Sequence, residues 1–390
     1  MKPVDEYFAK GYYAYEKKHY EQAIEYFQKA INLDSKHVAA YCYIGLSYFR
    51  LKNYRGAIRY YQKAIDIDPN QSEIYCTMGD VYCAMEDFPA SIRYYRKAIE
   101  LDPKFLLAYN NTGIGYQNLK DYHEAIRNFE KAIEIDPNYA MGYNNMGICY
   151  HEMQDYEKAL SCYQKGMEID PSQRKLFFNM GNTLHQLDRR EESIQAYEKA
   201  IKLDPKSISA YFNLGTSYAE VEEYDRALFY LKKALSIDPT CTLLYGNIGS
   251  VYYSLENYEE AIRYYKKNIE LNPEDNQAMF NMGSAYMNTD NYEEAIRCYK
   301  RASDINPEDE NSYLNMGVSY YELKDYDNAL QCYQTALDFN PNNATIYHYL
   351  GKLYGCGLND KDKQIFYYKK AAQLGDEEDQ KWLQENGYTQ

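Results

Sequence analysis

A glycine recurs at one fixed interval through almost the whole of this 390-residue chain. The positions that keep this phase are Gly11, Gly45, Gly79, Gly113, Gly147, Gly181, Gly215, Gly249, Gly283, Gly317 and Gly351. A fixed period of about 34 residues is typical of solenoids and other repeat architectures, in which one small unit is copied along the chain. Because a repeated unit builds an extended surface, whereas catalysis generally needs one unrepeated cluster, the period favours a binding function.

Aromatic residues and alanines keep the same phase as the glycines. In the fourth repeat, Tyr109 and Tyr116 flank Gly113, and Ala125, Phe129 and Ala132 follow it. Offsets of three, four and seven residues place side chains on one face of an α-helix. Each repeat is therefore predicted to contain two amphipathic helices.

Turn and break residues separate the predicted helices. Nine prolines, from Pro69 to Pro341, keep the same phase as the glycines, and each follows Asp or Asn. A residue before proline is pushed out of the α region, so the second helix should end there. Between the two helices, pairs such as Asp121-Tyr122 are expected to form a tight reversal.

The repeated glycine needs a packing reason, because glycine inside a helix costs about 1 kcal/mol relative to alanine. We expect the two in-phase alanines of the same repeat, such as Ala125 and Ala132 after Gly113, to approach it from the paired helix. The aromatic residues would then fill the space between neighbouring repeats.

The order aromatic, Leu or Met, Gly, Tyr, Ala, aromatic, Ala and Pro in a frame of about 34 residues resembles the tetratricopeptide repeat. The resemblance implies an all-α fold, a right-handed α-solenoid superhelix of about eleven helix-turn-helix repeats. First helices would line a concave groove, and second helices would form the convex side. The predicted repeats of this single solenoid (1–390) are 4–37, 38–71, 72–105, 106–139, 140–173, 174–207, 208–241, 242–275, 276–309 and 310–343.

The last segment, residues 344–390, departs from this pattern. After Gly351 come Gly355-Cys356-Gly357, and the following aromatic and alanine positions are shifted by one residue. This resembles a Sel1-like repeat, and the tail around Trp382 and Leu383 predicts a closing helix. Because terminal repeats need an atypical outer face, we interpret the segment as a C-terminal cap, with a separate functional module as the alternative.

The net charge of −15 at pH 7 argues against nucleic acid and anionic membranes as partners, since their phosphates require clustered Lys and Arg. It favours basic protein partners. No stretch approaches 18 apolar residues, so no membrane span is predicted, and the first residues lack the apolar core of a secretory signal. Nine cysteines without paired spacing fit a reducing compartment, and we predict a cytoplasmic location.

Asparagine stands two residues before the glycine in seven consecutive repeats. These residues are Asn111, Asn145, Asn179, Asn213, Asn247, Asn281 and Asn315. Stacked repeats would align the amides in a row, and each amide offers donors and an acceptor to a peptide backbone. The row resembles the asparagine ladder in the repeat region of O-linked N-acetylglucosamine transferase, which grips extended polypeptide. The alternative is that the amides hydrate the groove or brace a neighbouring helix.

Aromatic and histidine side chains accompany this row of amides. The predicted pocket residues are Phe178, Phe212, Phe280 and Tyr253, and His151 and His185 align in adjacent repeats. Pockets beside backbone-binding amides suit an extended peptide with apolar side chains. The two histidines could bracket a ligand or sense pH. For each of these residues, packing within the solenoid is the alternative.

Signatures of catalysis and cofactor binding are missing from the sequence, including phosphate-binding glycine loops, Gly-x-Ser-x-Gly and His-Glu-x-x-His. Cys76, Asp80 and Cys83 share one predicted helix face and are possible zinc ligands, but no fourth ligand accompanies them, so no metal or cofactor is predicted. One branch of the tetratricopeptide-repeat family binds the acidic C-terminal tails of heat-shock chaperones through a group of side chains called the carboxylate clamp. This clamp needs a lysine three residues before the repeat glycine. No repeat has one, which disfavours that partner.

The sequence therefore predicts a non-enzymatic protein–protein interaction module that binds an extended peptide in its groove. The alternative is a structural scaffold that assembles a complex, or self-associates, through convex faces and stack ends.

Overall fold

The computed structural model describes residues 2–388, which form α-helices joined by short turns. The predicted domain, 1–390, also includes residues 1, 389 and 390, which lie outside the described residues. The predicted cap, 344–390, includes the last two of these. Two compact units divide the chain, Met1–Asp204 and Pro205–Gln390. Helices are numbered along the chain from α1 to α23. Up to α22, odd numbers denote the first helix of each repeat and even numbers the second helix.

The first unit contains six helical hairpins. Its helices are α1 (Pro3–Glu16), α2 (Tyr20–Leu33), α3 (Val38–Arg50), α4 (Tyr54–Ile67), α5 (Ser72–Ala84), α6 (Phe88–Leu101), α7 (Leu106–Asn118), α8 (Tyr122–Ile135), α9 (Ala140–Glu152), α10 (Tyr156–Ile169), α11 (Arg174–Gln186) and α12 (Arg190–Leu203). Each first helix packs on its own second helix, and each second helix up to α10 also packs on the next first helix. The predicted helix pairs and their stacking are confirmed in this unit.

The second unit continues the pattern and ends differently. Its helices are α13 (Ile208–Glu220), α14 (Tyr224–Ile237), α15 (Thr242–Ser254), α16 (Tyr258–Leu271), α17 (Asn276–Met287), α18 (Tyr292–Ile305), α19 (Glu310–Glu322), α20 (Tyr326–Phe339), α21 (Ala344–Lys352), α22 (Lys361–Gln373) and α23 (Glu377–Glu385). The predicted closing helix corresponds to α23. Over residues 2–388, no helix is long and apolar enough to cross a lipid bilayer.

Each hairpin reverses through one residue in the left-handed region. Lys120, for example, has φ 61° and lies between α7 and α8. Asp121 then caps α8, since its side chain accepts a hydrogen bond from the backbone N–H of Glu124 at 3.2 Å. Tyr122 is already the first residue of α8. The prediction that Asp121 and Tyr122 together form the reversal is therefore wrong, because the turn lies earlier and the aspartate acts as the N-cap.

The repeated glycine makes room for an aromatic ring on the second helix of its own repeat. A Cβ atom added at Gly249 would lie 2.6 Å from Cε1 of Tyr265. The expectation that alanines approach the glycine is thus wrong, because the ring itself covers it. The residues at this position are at most 2% exposed. Nine of them are aromatic, Phe27, Tyr61, Tyr95, Phe129, Tyr163, Tyr197, Tyr265, Tyr299 and Tyr333, and the tenth is the aliphatic Leu231, which covers Gly215.

A π-helical turn, Leu353–Gly357, follows α21. It adds one residue before the hairpin reverses, so the ring that covers Gly351 belongs to Tyr368, one position later than in the other repeats. The left-handed residue of this hairpin, Asn359 (φ 54°), is shifted in the same direction. Single π-helical turns accommodate an extra residue within a helix. The predicted one-residue shift is thus absorbed while the packing of ring on glycine is kept.

Candidate functional site

The first helices of successive repeats present the predicted binding residues, and we call the surface that they form within each unit the first-helix face. In the first unit it contains Asn111 (α7), Asn145 and His151 (α9), and Phe178, Asn179 and His185 (α11). In the second unit it contains Phe212 and Asn213 (α13), Asn247 and Tyr253 (α15), Phe280 and Asn281 (α17) and Asn315 (α19). Asn145 is buried and the others are half-buried.

In the first unit the asparagines form a relay of hydrogen bonds with one another. Each side-chain amide donates to the next residue, and every link measures 2.9–3.1 Å. The relay runs through Asn179, Asn144, Asn145, Asn110, Asn111 and Asp80. It joins α11, α9, α7 and α5. The arrangement corresponds to the bracing alternative for Asn111, Asn145 and Asn179.

Two members of this relay, Asn110 and Asn144, were not among the predicted binding residues. Each stands three residues before the repeat glycine and forms an Asn-Asn pair with the next residue. Both are almost fully buried, at 5% and 2% exposure. A buried amide without partners is costly. The adjacent asparagines in two successive repeats could therefore have indicated, from the sequence alone, that these amides hydrogen-bond to one another.

The relay ends on the half-buried carboxylate of Asp80. This carboxylate accepts hydrogen bonds from the Tyr95 hydroxyl at 2.8 Å and from Asn111 at 3.0 Å. Burial raises the pKa of Asp80, and the two hydrogen bonds partly offset that shift. Burial also raises the pKa of Cys76 to about 12 and raises the pKa of Cys83. Both thiols are therefore protonated at neutral pH in the metal-free protein.

In the second unit, two of the predicted asparagines hydrogen-bond within their own helices. The Asn247 amide donates to the backbone oxygen of Leu243 at 2.8 Å. The amide oxygen of Asn281 accepts from Gln277 at 2.9 Å. The amides of Asn247 and Asn281 thus interact differently from those in the first unit, because these bonds do not brace the next repeat.

A cavity of about 290 Å³ opens on the first-helix face of the second unit, between α15 and α17. It is lined by Ser250, Tyr253, Ser254, Tyr265, Phe280, Asn281 and Ser284. Three of these residues, Tyr253, Phe280 and Asn281, were predicted to bind peptide. The structure therefore brings two predicted aromatic rings and one predicted amide into a single site.

Polar groups at this cavity are held in place by neighbouring side chains. The Tyr253 hydroxyl accepts a hydrogen bond from the Asn288 amide at 2.9 Å. The hydroxyls of Ser250 and Tyr265 lie 3.2 Å apart. An aromatic wall with fixed polar groups beside it suits an apolar side chain and its flanking backbone.

A second cavity, of about 550 Å³, lies on the first-helix face of the first unit between α3 and α5. Its lining residues are Ala39, Cys42, Tyr43, Leu46, Tyr61, Gln71, Glu73, Ile74 and Thr77. None of them was predicted to bind peptide. Tyr43 and Thr77 occupy the position that carries asparagine in later repeats, and this equivalence was the signal that pointed to them.

Two further predicted residues, His151 and Phe178, contact side chains of neighbouring helices. Nδ1 of His151 lies 2.8 Å from the Thr183 hydroxyl, and burial lowers the pKa of His151. His151 therefore connects α9 to α11. The Phe178 ring lies 6.0 Å from the Tyr197 ring, measured between centroids. These contacts fix the two side chains on the first-helix face of the first unit.

Stacked helical hairpins of this kind define an α-solenoid protein. Family models described as tetratricopeptide repeat or TPR repeat match residues 5–52, 38–71, 72–105, 105–172, 181–222, 208–241, 243–275, 290–324 and 319–355. A Sel1 repeat model matches residues 347–376. The chain belongs to the tetratricopeptide-repeat family and carries a Sel1 repeat near its C-terminus.

Solved structures are similar to parts of this chain. The C-terminal part of a TPR repeat-containing protein from Cytophaga hutchinsonii is 19% identical, with a TM-score of 0.54, over 60% of this chain and 96% of that chain. YrrB, described as a TPR protein with an unusual peptide-binding site, is 26% identical over 48% of this chain and 96% of its own, with a TM-score of 0.43. No curated protein matches the sequence.

Proposed function

We propose that this protein binds an extended peptide segment along its first-helix faces. Tetratricopeptide-repeat proteins are protein-interaction modules, and the proposal assigns the peptide-binding role to particular residues. The observation that carries it is the cavity in the second unit, where Tyr253, Phe280 and Asn281 line one space. Its aromatic wall would hold an apolar side chain of the peptide, and the amide and hydroxyl groups beside it would bond to the backbone.

The asparagines divide into two roles under this proposal. Asn111, Asn145 and Asn179 already hydrogen-bond to the relay or its terminal carboxylate, so they would stiffen the first unit. Asn247 and Asn281 use bonds within one helix. Such a bond is exchanged for a ligand bond at little cost, because the competing partner is local. These two amides are the proposed backbone contacts.

The larger cavity in the first unit gives the proposal a second pocket. Its wall is formed chiefly by apolar groups such as Leu46 and Ile74. Burial raises the pKa of the Cys42 thiol there to about 11, so Cys42 serves as an apolar wall residue and not as a nucleophile. We assign no catalytic residue, and the nine unpaired cysteines support the proposed cytoplasmic location.

Cavity-filling substitutions test the proposal. Peptides selected from a random display library on the full chain serve as probes. Ser254→Phe places a ring at the cavity of the second unit, and Ala39→Phe does the same in the first. Fluorescence anisotropy measures the affinity of each selected peptide for both variants. We expect every peptide to bind at least one of the two variants about tenfold or more weakly, which corresponds to about 1.4 kcal/mol.

Ser236→Phe is the matched control, because it adds the same ring to an exposed position on the second helix α14. Its affinity for the peptides should equal that of the unchanged protein. If both cavity-filling variants bound every selected peptide as tightly as the control does, peptide binding at these cavities would be refuted.

Self-association remains the second candidate function, because Phe229 on α14 is 55% exposed. Its ring packs edge-on against Tyr230, with centroids 5.0 Å apart, and the Lys233 ammonium lies 5.8 Å from its centroid. A dimer observed by light scattering that dissociates on Phe229→Ala would favour the scaffold alternative. A monomer at all concentrations would exclude self-association through this residue.

A further inference from the structure

We propose that His348, Asp376 and Asp379 form a binding site for a divalent transition metal of the zinc type. The site lies at the C-terminal end of the second unit, where His348 and Asp376 fall in the matched Sel1 repeat and Asp379 in α23, and it shares no residue with either cavity. It is independent of the proposed peptide-binding function. Imidazole and carboxylate are ligands that zinc accepts in proteins.

The ligand atoms of these three residues are already close together. One atom from each, the His348 ring nitrogen and a carboxylate oxygen of Asp376 and of Asp379, lies within 4.8 Å of the others. His348 Nδ1 and Asp379 Oδ1 are 3.1 Å apart. Two ligands at the usual distance from a tetrahedral zinc ion lie about 3.3 Å from each other. Because the ligand atoms lie up to 4.8 Å apart, binding would bring the more distant ones closer together by at most about 1.5 Å.

Asp379 provides the independent indication that a ligand belongs here. The residue is 1% exposed, yet its Oδ2 atom has no hydrogen-bond partner among residues 2–388. An unpartnered carboxylate oxygen in a buried position is costly. A simple pair between His348 and Asp379 satisfies Oδ1 only, whereas a metal ion would also use the remaining lone pairs of the carboxylate.

Asp376 is oriented by its position at the start of α23. Its Oδ1 atom accepts a hydrogen bond from the Asp379 backbone N–H at 2.9 Å, which makes it the N-cap of the helix. The carboxylates of Asp376 and Glu378 both lie close enough to Asp379 to raise its pKa by their negative charge. One imidazole among these carboxylates gives the pocket a net negative charge, which favours a cation.

Metal binding would fasten the last helix to the last repeat. His348 lies on α21, whereas Asp376 and Asp379 belong to the start of α23. Aromatic packing supports the same contact, since the Tyr368 ring lies 5.8 Å from His348 and 4.8 Å from Trp382. A ligand that binds only the folded protein stabilises it, so the metal would close this end of the stack.

Zinc titration of the full chain tests the proposal. We expect one saturable site per chain in isothermal titration calorimetry, and Co²⁺ in place of zinc should give visible absorption bands. His348→Ala and Asp379→Asn should each weaken zinc binding by at least about tenfold. Asp376→Asn should do the same while keeping the helix cap, because asparagine is an equally good N-cap residue.

His123→Ala is the matched control, since His123 is exposed on α8, and its zinc affinity should stay unchanged. Circular dichroism of each variant should show an unchanged helix content. Because Asp376→Asn preserves the cap, it remains informative even if a variant at a buried position unfolds. The proposal is overturned if the unchanged chain shows no saturable site, or if Asp376→Asn binds zinc as tightly as the control.

Discussion

At the scale of single residues, the repeat depends on a glycine that a ring covers. Gly249 in α15 leaves space for the Tyr265 ring, which is 1% exposed. The ring buries a large apolar surface, and this gain exceeds the cost of about 1 kcal/mol for a glycine within a helix. The glycine and the ring therefore form one packing unit.

A pair of substitutions within α15 tests this packing. Gly249→Ala would place a Cβ atom 2.6 Å from the ring of Tyr265, whereas Gly246→Ala meets only the Asn268 side-chain nitrogen, at 3.2 Å. We expect Gly249→Ala to lower the free energy of unfolding by about 1–3 kcal/mol, as overpacking does. Gly246→Ala should lower the free energy of unfolding by less than this, or raise it, because alanine has a higher helix propensity than glycine. Urea denaturation measures both, and equal effects would contradict the packing account.

At the scale of helices, the amide relay binds four first helices of the first unit together. Asn144 is its central member, since it accepts from Asn179 on α11 and donates to Asn145 beside it. The residue is 2% exposed. Its loss would leave the Asn179 amide and the Asn145 oxygen without these partners. The network should therefore hold the spacing between α9 and α11.

Asn144→Ala is expected to lower the free energy of unfolding by about 1–3 kcal/mol, the usual cost of unsatisfied buried polar groups. Asn247→Ala is the matched control. Its amide bonds to Leu243 within the same helix, and its effect should stay within about 0.5 kcal/mol. Urea denaturation gives both values, and hydrogen exchange should show faster opening of α9 and α11 in Asn144→Ala alone. Similar values for the two variants would mean that the relay adds no stability.

At the scale of the whole molecule, local patterns and distant pairings differ in how well the sequence predicts them. The helix pairs follow from the spacing of glycine, aromatic residues and proline, because these act within one repeat. The sequence predicted that Gly249 packs closely against the paired helix. It did not identify Tyr265 as the residue in contact, because that depends on the geometry of the hairpin. Of the predicted site, Tyr253, Phe280 and Asn281 meet at one cavity.

The cluster of His348, Asp376 and Asp379 shows why the sequence alone does not predict other sites. His348 and Asp379 are separated by 31 positions and by the whole of α22. The π-helical turn changes the phase between them, so no fixed offset from the repeat glycine relates the two residues. Asn144 and Asn145 are likewise adjacent in sequence but bond to residues of different repeats. Three-dimensional packing decides these contacts.

The net charge of −15 gives a prediction for the molecule as a whole. A negative field attracts basic ligands and changes their association rate by about 10- to 1,000-fold. One selected peptide is made in three forms, with flanking lysines, serines or glutamates, and stopped-flow fluorescence measures the association rate of each form.

We expect the lysine form to associate at least about tenfold more slowly in 1 M salt than in 0.01 M salt, because screening shortens the Debye length from about 30 Å to about 3 Å. The glutamate form should associate faster in high salt, and the serine form should change little. Dissociation rates should vary less, since short-range contacts in the cavities set them. If all three forms showed the same salt dependence of association, the field of the molecule would have no part in choosing its partner, even where the cavity-filling variants had confirmed peptide binding.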